Sequence, residues 1–66
     1  GFIDQKAAFF QLTVEEKSGL AGCPLKEINT VLGSNLLVAC VNRKNRLYVP
    51  NGSFVLESGD EIGIIV

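Results

Sequence analysis

The stretch from Asn35 to Asp60 constrains the fold more than any other part of the chain. Six consecutive apolar residues, Leu36 to Val41, run into a polar patch from Asn42 to Arg46. A short alternating stretch, Leu47-Tyr48-Val49, follows and stops at Pro50-Asn51-Gly52. Phe54-Val55-Leu56, a Glu57-Ser58-Gly59-Asp60 turn and an apolar tail from Ile62 to Val66 complete the chain. Apolar runs this short, bounded by Gly, Pro, Asn and Asp, read as strands joined by tight turns. The unbroken run Leu36 to Val41 predicts a central strand covered on both faces. Proline cannot donate to a ladder, so Pro50 ends the next strand, Arg46 to Val49. Asn51-Gly52 is a dipeptide that favours positive φ.

Upstream, Phe10, Leu12 and Val14 alternate with Gln11 and Thr13, which predicts a strand over 9–14. Glu15 to Gly19 read as a loop. Pro24 suits the first turn of a helix, where its missing N–H needs no partner. Leu25, Ile28 and Leu32 then fall on one helical side before Gly33-Ser34-Asn35. The expected architecture is α+β: a small, mostly antiparallel sheet in a β-α-β-β-β meander with one short helix. Residues 1–8 read as a linker or tag remnant, with Gly1 as a cleavage scar, and 9–66 as the domain. Gly63 lies inside the last strand, where it marks a bulge or a close backbone approach.

A chain of 66 residues buries only about 60% of the surface that its unfolded form exposes. Small domains compensate with disulfides, a metal or a partner. Cys23 and Cys40 lie far apart, and the chain has no His, so a structural zinc site lacks its ligand set. A Cys23–Cys40 disulfide is chemically open, but one bridge is unlike the dense frameworks of small secreted domains. Association with a second copy is the remaining route, and a hydrophobic content of 47% favours a homodimer.

The net charge is −1, without the basic excess that neutralises phosphates, so nucleic acid is not an expected partner. Arg43-Lys44-Asn45-Arg46 is read as a solvated hairpin tip. The longest apolar run falls well short of the roughly 20 residues that span a bilayer, and no signal peptide is evident. The absence of His removes the usual general base. Glu15, Glu16, Glu27, Glu57, Asp60 and Glu61 are read as solvated charges on loops and helix surfaces. No catalytic residue, metal ligand or cofactor is assigned, and the chain reads as a binding or assembly module, not an enzyme.

Five segments carry a family resemblance: Phe10–Val14; Leu20-Ala-Gly-Cys-Pro-Leu-Lys-Glu-Ile28; Asn35-Leu-Leu-Val-Ala-Cys-Val-Asn-Arg43; Leu47-Tyr-Val-Pro-Asn-Gly52; and Val55-Leu-Glu-Ser-Gly-Asp-Glu-Ile62. In this order they resemble the TrkA-C domain, the C-terminal lobe of RCK domains, which regulate potassium channels and transporters. The resemblance covers residues 9–66. It implies a cytoplasmic regulatory domain, at the inner face of the plasma membrane, that senses a ligand, dimerises and belongs to a prokaryotic transporter or channel for potassium or another ion. The alternative is a purely structural dimerisation module without a small ligand. Some members bind cyclic di-AMP between two subunits. The matching positions here are Asn35, Leu37 and Cys40 around the central strand and Pro50 after the next one. Ligand-binding members tend to carry an Ile-Arg pair after the helix. This chain has Asn29-Thr30 there, which removes an arginine partner for phosphate.

Overall fold

Four extended segments pair into one antiparallel sheet: β1 (Phe9–Thr13), β2 (Leu37–Arg43), β3 (Arg46–Tyr48) and β4 (Glu61–Ile65). Among the described residues one α-helix, α1 (Ile28–Leu32), continues a 3-10 turn over Leu25–Glu27, and a second 3-10 turn covers Glu16–Ser18. The computed structural model describes residues 9–33 and 35–66. The linker expected over 1–8, and Ser34 in the expected helix stop, lie outside the described residues.

The small antiparallel sheet with one short helix is the α+β class expected from the sequence. The order across the sheet is β1-β4-β2-β3, so the last strand does not extend the meander past β3 but returns between β1 and β2. β2 and β3 form a tight hairpin with Arg43 opposite Arg46. Its two loop residues, Lys44 and Asn45, have φ of 51° and 63°, the left-handed pair that a two-residue hairpin loop demands. The hairpin tip expected over Arg43–Arg46 is therefore shorter than read, because Arg43 and Arg46 remain paired in the ladder. Asn51-Gly52 bends without positive φ. There the Asn51 side-chain oxygen accepts hydrogen bonds from the Ser53 N–H at 3.0 Å and from its hydroxyl at 2.7 Å.

The core forms where α1 and the flanking turns cover one face of the sheet. Val14, Leu20, Leu25, Ile28, Val41, Leu56, Ile62 and Ile64 make up its buried cluster, with Leu36, Val38, Tyr48 and Phe54 packed against it. The segment 52–56 lies antiparallel to 22–26 through four backbone bonds. Gly22 N–H donates to the Leu56 carbonyl, Leu56 N–H to Cys23, Leu25 N–H to Phe54 and Lys26 N–H to Gly52, all at 2.8–3.0 Å. These bonds satisfy backbone groups that would otherwise be stranded over the core. Gly33, with φ of 68°, ends α1 and donates its N–H to the Asn29 carbonyl, the usual left-handed helix stop.

Two readings of the sequence are corrected by this arrangement. β2 has a strand on each side, but only one of its faces is covered: Leu37 is 61% exposed, and within the strand only Val41 is buried. One short helix supplies one covering layer, and among the described residues the second apolar face of the run stays open. The most buried strand is β4, with Ile62, Gly63 and Ile64 all buried. Asp60 is likewise no solvated loop acid, being only 1% exposed. Both cysteines are free thiols. Burial, and next the charge of Glu27, pushes the Cys23 thiol pKa up, so it stays protonated as a small apolar filler.

Gly63 fulfils both readings made for it. A Cβ there would lie 2.7 Å from Cys40 Sγ and 2.8 Å from the tip of the Phe9 ring. Opposite it, the pairing shifts between Val38 and Cys40, leaving Ala39 as the extra residue of a bulge. Gly63→Ala is expected to destabilise the fold by about 1–3 kcal/mol through overpacking. A thermal melt unchanged from wild type would show that Phe9 and Cys40 yield freely.

Candidate functional site

Two features stand out against the sheet: an ion-pair cluster at one end and an open cleft at the other. The cluster is centred on Arg43, the last residue of β2. Its Nε donates to Asp60 Oδ1 at 2.8 Å and its Nη2 to Asp60 Oδ2 at 2.7 Å, a two-pronged pair. Nη2 also donates to the Val55 carbonyl at 2.9 Å, and Nη1 lies 3.0 Å from a Glu57 carboxylate oxygen. The guanidinium stacks 4.7 Å from the Phe54 ring centre and 5.9 Å from that of Tyr48. Asp60 Oδ2 accepts one more bond, from the Glu57 N–H at 2.9 Å. The Arg43 hydrogen bonds hold the Asp60 carboxyl below the usual carboxylate range against the opposing effect of burial, with help from the Glu57 N–H.

Arg43 is thus no part of a solvated hairpin tip. Lys44, Asn45 and Arg46 of that basic cluster are exposed, whereas Arg43 is half-buried. Every strong partner of Arg43 is internal, so the cluster fastens the segment 54–60 to the sheet and leaves no cation free for a ligand. An Arg ending one apolar strand and an Asp just before the last one were the available signal in the sequence.

The cleft, about 190 Å³ in volume, lies between the first turn of the helical segment, the start of β2 and the Pro50–Gly52 bend. Leu25 and Ile28, both buried, belong to its lining, and Leu36, Leu37, Val38 and Pro50 add apolar surface. Its polar groups come from Lys26, Asn29 and Asn51. Asn29 Oδ1 accepts the Leu36 N–H at 3.0 Å, which joins α1 to the approach to β2. The Lys26 backbone is held by Gly52, whose missing Cβ would sit 3.3 Å from that of Lys26. This close approach aligns the bend beside the helix.

Of the four candidate positions, Leu37 and Pro50 meet at this cleft. Asn35 is exposed just before β2 and does not line it. Cys40 faces a separate hollow of about 110 Å³ with Gln11, Asn42 and Gly63. The sequence reading missed Lys26, which resembles any helix-surface lysine until the Pro50–Gly52 bend is brought beside it. Among the described residues there is no group of side chains suited to a metal ion, and no helix is long and apolar enough to cross a membrane.

Comparison with known proteins agrees with this fold. The RCK_C domain dimer of S. agalactiae BusR in complex with c-di-AMP is similar at a TM-score of 0.73 and 23% identity, covering 89% of this chain and 74% of that one. S. agalactiae BusR in complex with its busAB-promotor DNA is similar at the same TM-score and identity, but this chain spans only 29% of it. Both share the fold. No curated protein matches the chain. The family described as the TrkA-C domain matches residues 9–66, the whole of the described fold. The chain belongs to the TrkA-C domain family.

Proposed function

We propose that this chain is a ligand-sensing and dimerisation domain that regulates a prokaryotic transporter or channel for potassium or another ion, at the cytoplasmic face of the membrane. The observation that carries this reading is the cleft, which combines apolar walls with Lys26, Asn29 and Asn51. Ligand pockets typically enclose about 300–1,000 Å³, more than the 190 Å³ available to one copy. Two clefts facing each other across a twofold axis reach that range. Exposed apolar residues at the cleft, Leu37 at 61%, and nearby on α1, Val31 at 44% and Leu32 at 38%, suit such a contact. The ligand class is a cyclic dinucleotide: flat bases against Leu36, Leu37 and Pro50, amides for the base edges, and Lys26 for phosphate in place of the missing arginine. The c-di-AMP complex of the similar BusR domain supports the class.

A ligand held between two copies favours the arrangement that closes around it, and the attached machinery responds in proportion to that preference. The net charge of −1 comes without the basic excess that would favour DNA over a small ligand as the partner. Thermal stabilisation by cyclic di-AMP tests the reading. The melting temperature is expected to rise with ligand as mass action requires, and Lys26→Ala to weaken binding by about tenfold, the loss of one charge-assisted phosphate contact. No shift with cyclic dinucleotides would favour the purely structural dimerisation module.

A further inference from the structure

The polar groups of the cleft share one hydrogen-bonding sense. Asn51 Oδ1 accepts twice, from the Ser53 N–H at 3.0 Å and from the Ser53 hydroxyl at 2.7 Å. Asn29 Oδ1 accepts the Leu36 N–H at 3.0 Å. A backbone N–H can bond only the oxygen of a side-chain amide, so these contacts fix which end of each asparagine is committed. The NH2 of each is the end left for a ligand. Main-chain acceptors of the lining are committed as well. The carbonyls of Leu25, Asn29, Asn51 and Gly52 accept the N–H groups of Ile28, Gly33, Phe54 and Lys26 respectively. Among the described residues, the lining holds no carboxylate and no hydroxyl. The side-chain groups that remain are all donors: the Lys26 ammonium and two amide NH2 groups.

We propose that the side chains of this cleft recognise acceptor atoms alone, and that among cyclic dinucleotides the cleft therefore prefers guanine to adenine. The proposal rests on the ligand-sensing reading above and names the chemistry that the site selects. A phosphodiester presents only acceptor oxygens, which suits Lys26 and either amide. The bases differ. Guanine carries two acceptors, O6 and N7, along one edge, whereas adenine sets an N6 amino donor beside its N7 acceptor. An amide NH2 can donate to O6 but has nothing to offer an amino group. Adenine would bring its amino group out of water toward a lining whose side chains supply no acceptor, and a polar group left unpaired weakens binding.

Calorimetric titration of the chain with cyclic di-GMP and with cyclic di-AMP tests this. Cyclic di-GMP is expected to bind about tenfold tighter. Two variants then invert the polarity of the site. Asn29→Asp and Asn51→Asp each keep an oxygen for the Leu36 or Ser53 donors and replace the NH2 with a second acceptor. Their thermal melts should match wild type. The added charge weakens both ligands, but the ratio of the two affinities should move toward cyclic di-AMP by roughly threefold or more. A merely structural role for the asparagines would leave that ratio unmoved. Equal affinities in wild type, a preference for cyclic di-AMP, or a ratio unmoved in both variants overturns the proposal and leaves the ligand-sensing reading standing. Absence of heat with either dinucleotide overturns both.

Discussion

Replacing Asp60 with alanine is expected to destabilise the domain by about 3 kcal/mol, near the lower end for breaking a buried ion pair because Arg43 keeps some access to water. The loss has two parts. The two-pronged bond to Arg43 disappears, and the Glu57 N–H that donates to Oδ2 loses its partner. A domain of this size has only about 3–10 kcal/mol in total, so the melting temperature should fall by roughly 12–24 °C. The same pair sets the response to acid. The folded-state pKa of Asp60 is depressed, so its contribution is fully present above the unfolded-state value, about 3.9, and is lost as pH falls through the lower folded value. Urea melts of wild type should therefore weaken as pH drops through and below that range. Asp60→Asn should start less stable at pH 7 and lose less on acidification. Identical pH profiles for the two proteins would remove Asp60 from the acid response.

Leu56→Ala carries the second large effect. Leu56 is fully buried at the centre of the core cluster. Its backbone N–H and carbonyl already bond Cys23 and Gly22, so the main chain there has little freedom to collapse into the space. Truncation should cost about 3 kcal/mol, within the usual span of about 2–5 for a buried leucine. The segment 52–56 forms one wall of the cleft through Gly52, so ligand affinity should fall with stability. A variant as stable as wild type would mean that the core closes over the gap.

The helix stop at Gly33, the strand break at Pro50 and the close approach at Gly63 were legible because each depends on a residue type with a restricted or permissive backbone. The class of fold followed from the short runs between them. Less legible was the place of β4. Its pairing with both β1 and β2 links residues far apart in sequence, and local periodicity carries no record of that. Asp60 was misread for the same reason: a Gly-Asp turn resembles a solvated loop until Arg43 is brought beside it. The apolar run of β2 was read as doubly covered, and among the described residues its second face is open. In the candidate site, Leu37 and Pro50 meet because both flank the cleft, whereas Cys40 belongs to the outer face and Asn35 lies beyond the lining. Lys26 became visible only with the tertiary contact to Gly52.

Titration calorimetry with cyclic di-AMP probes the paired cleft most directly. One ligand should bind per two chains, with affinity reduced by Lys26→Ala in the cleft. One ligand per chain, or no heat at millimolar ligand, would contradict a site shared by two copies.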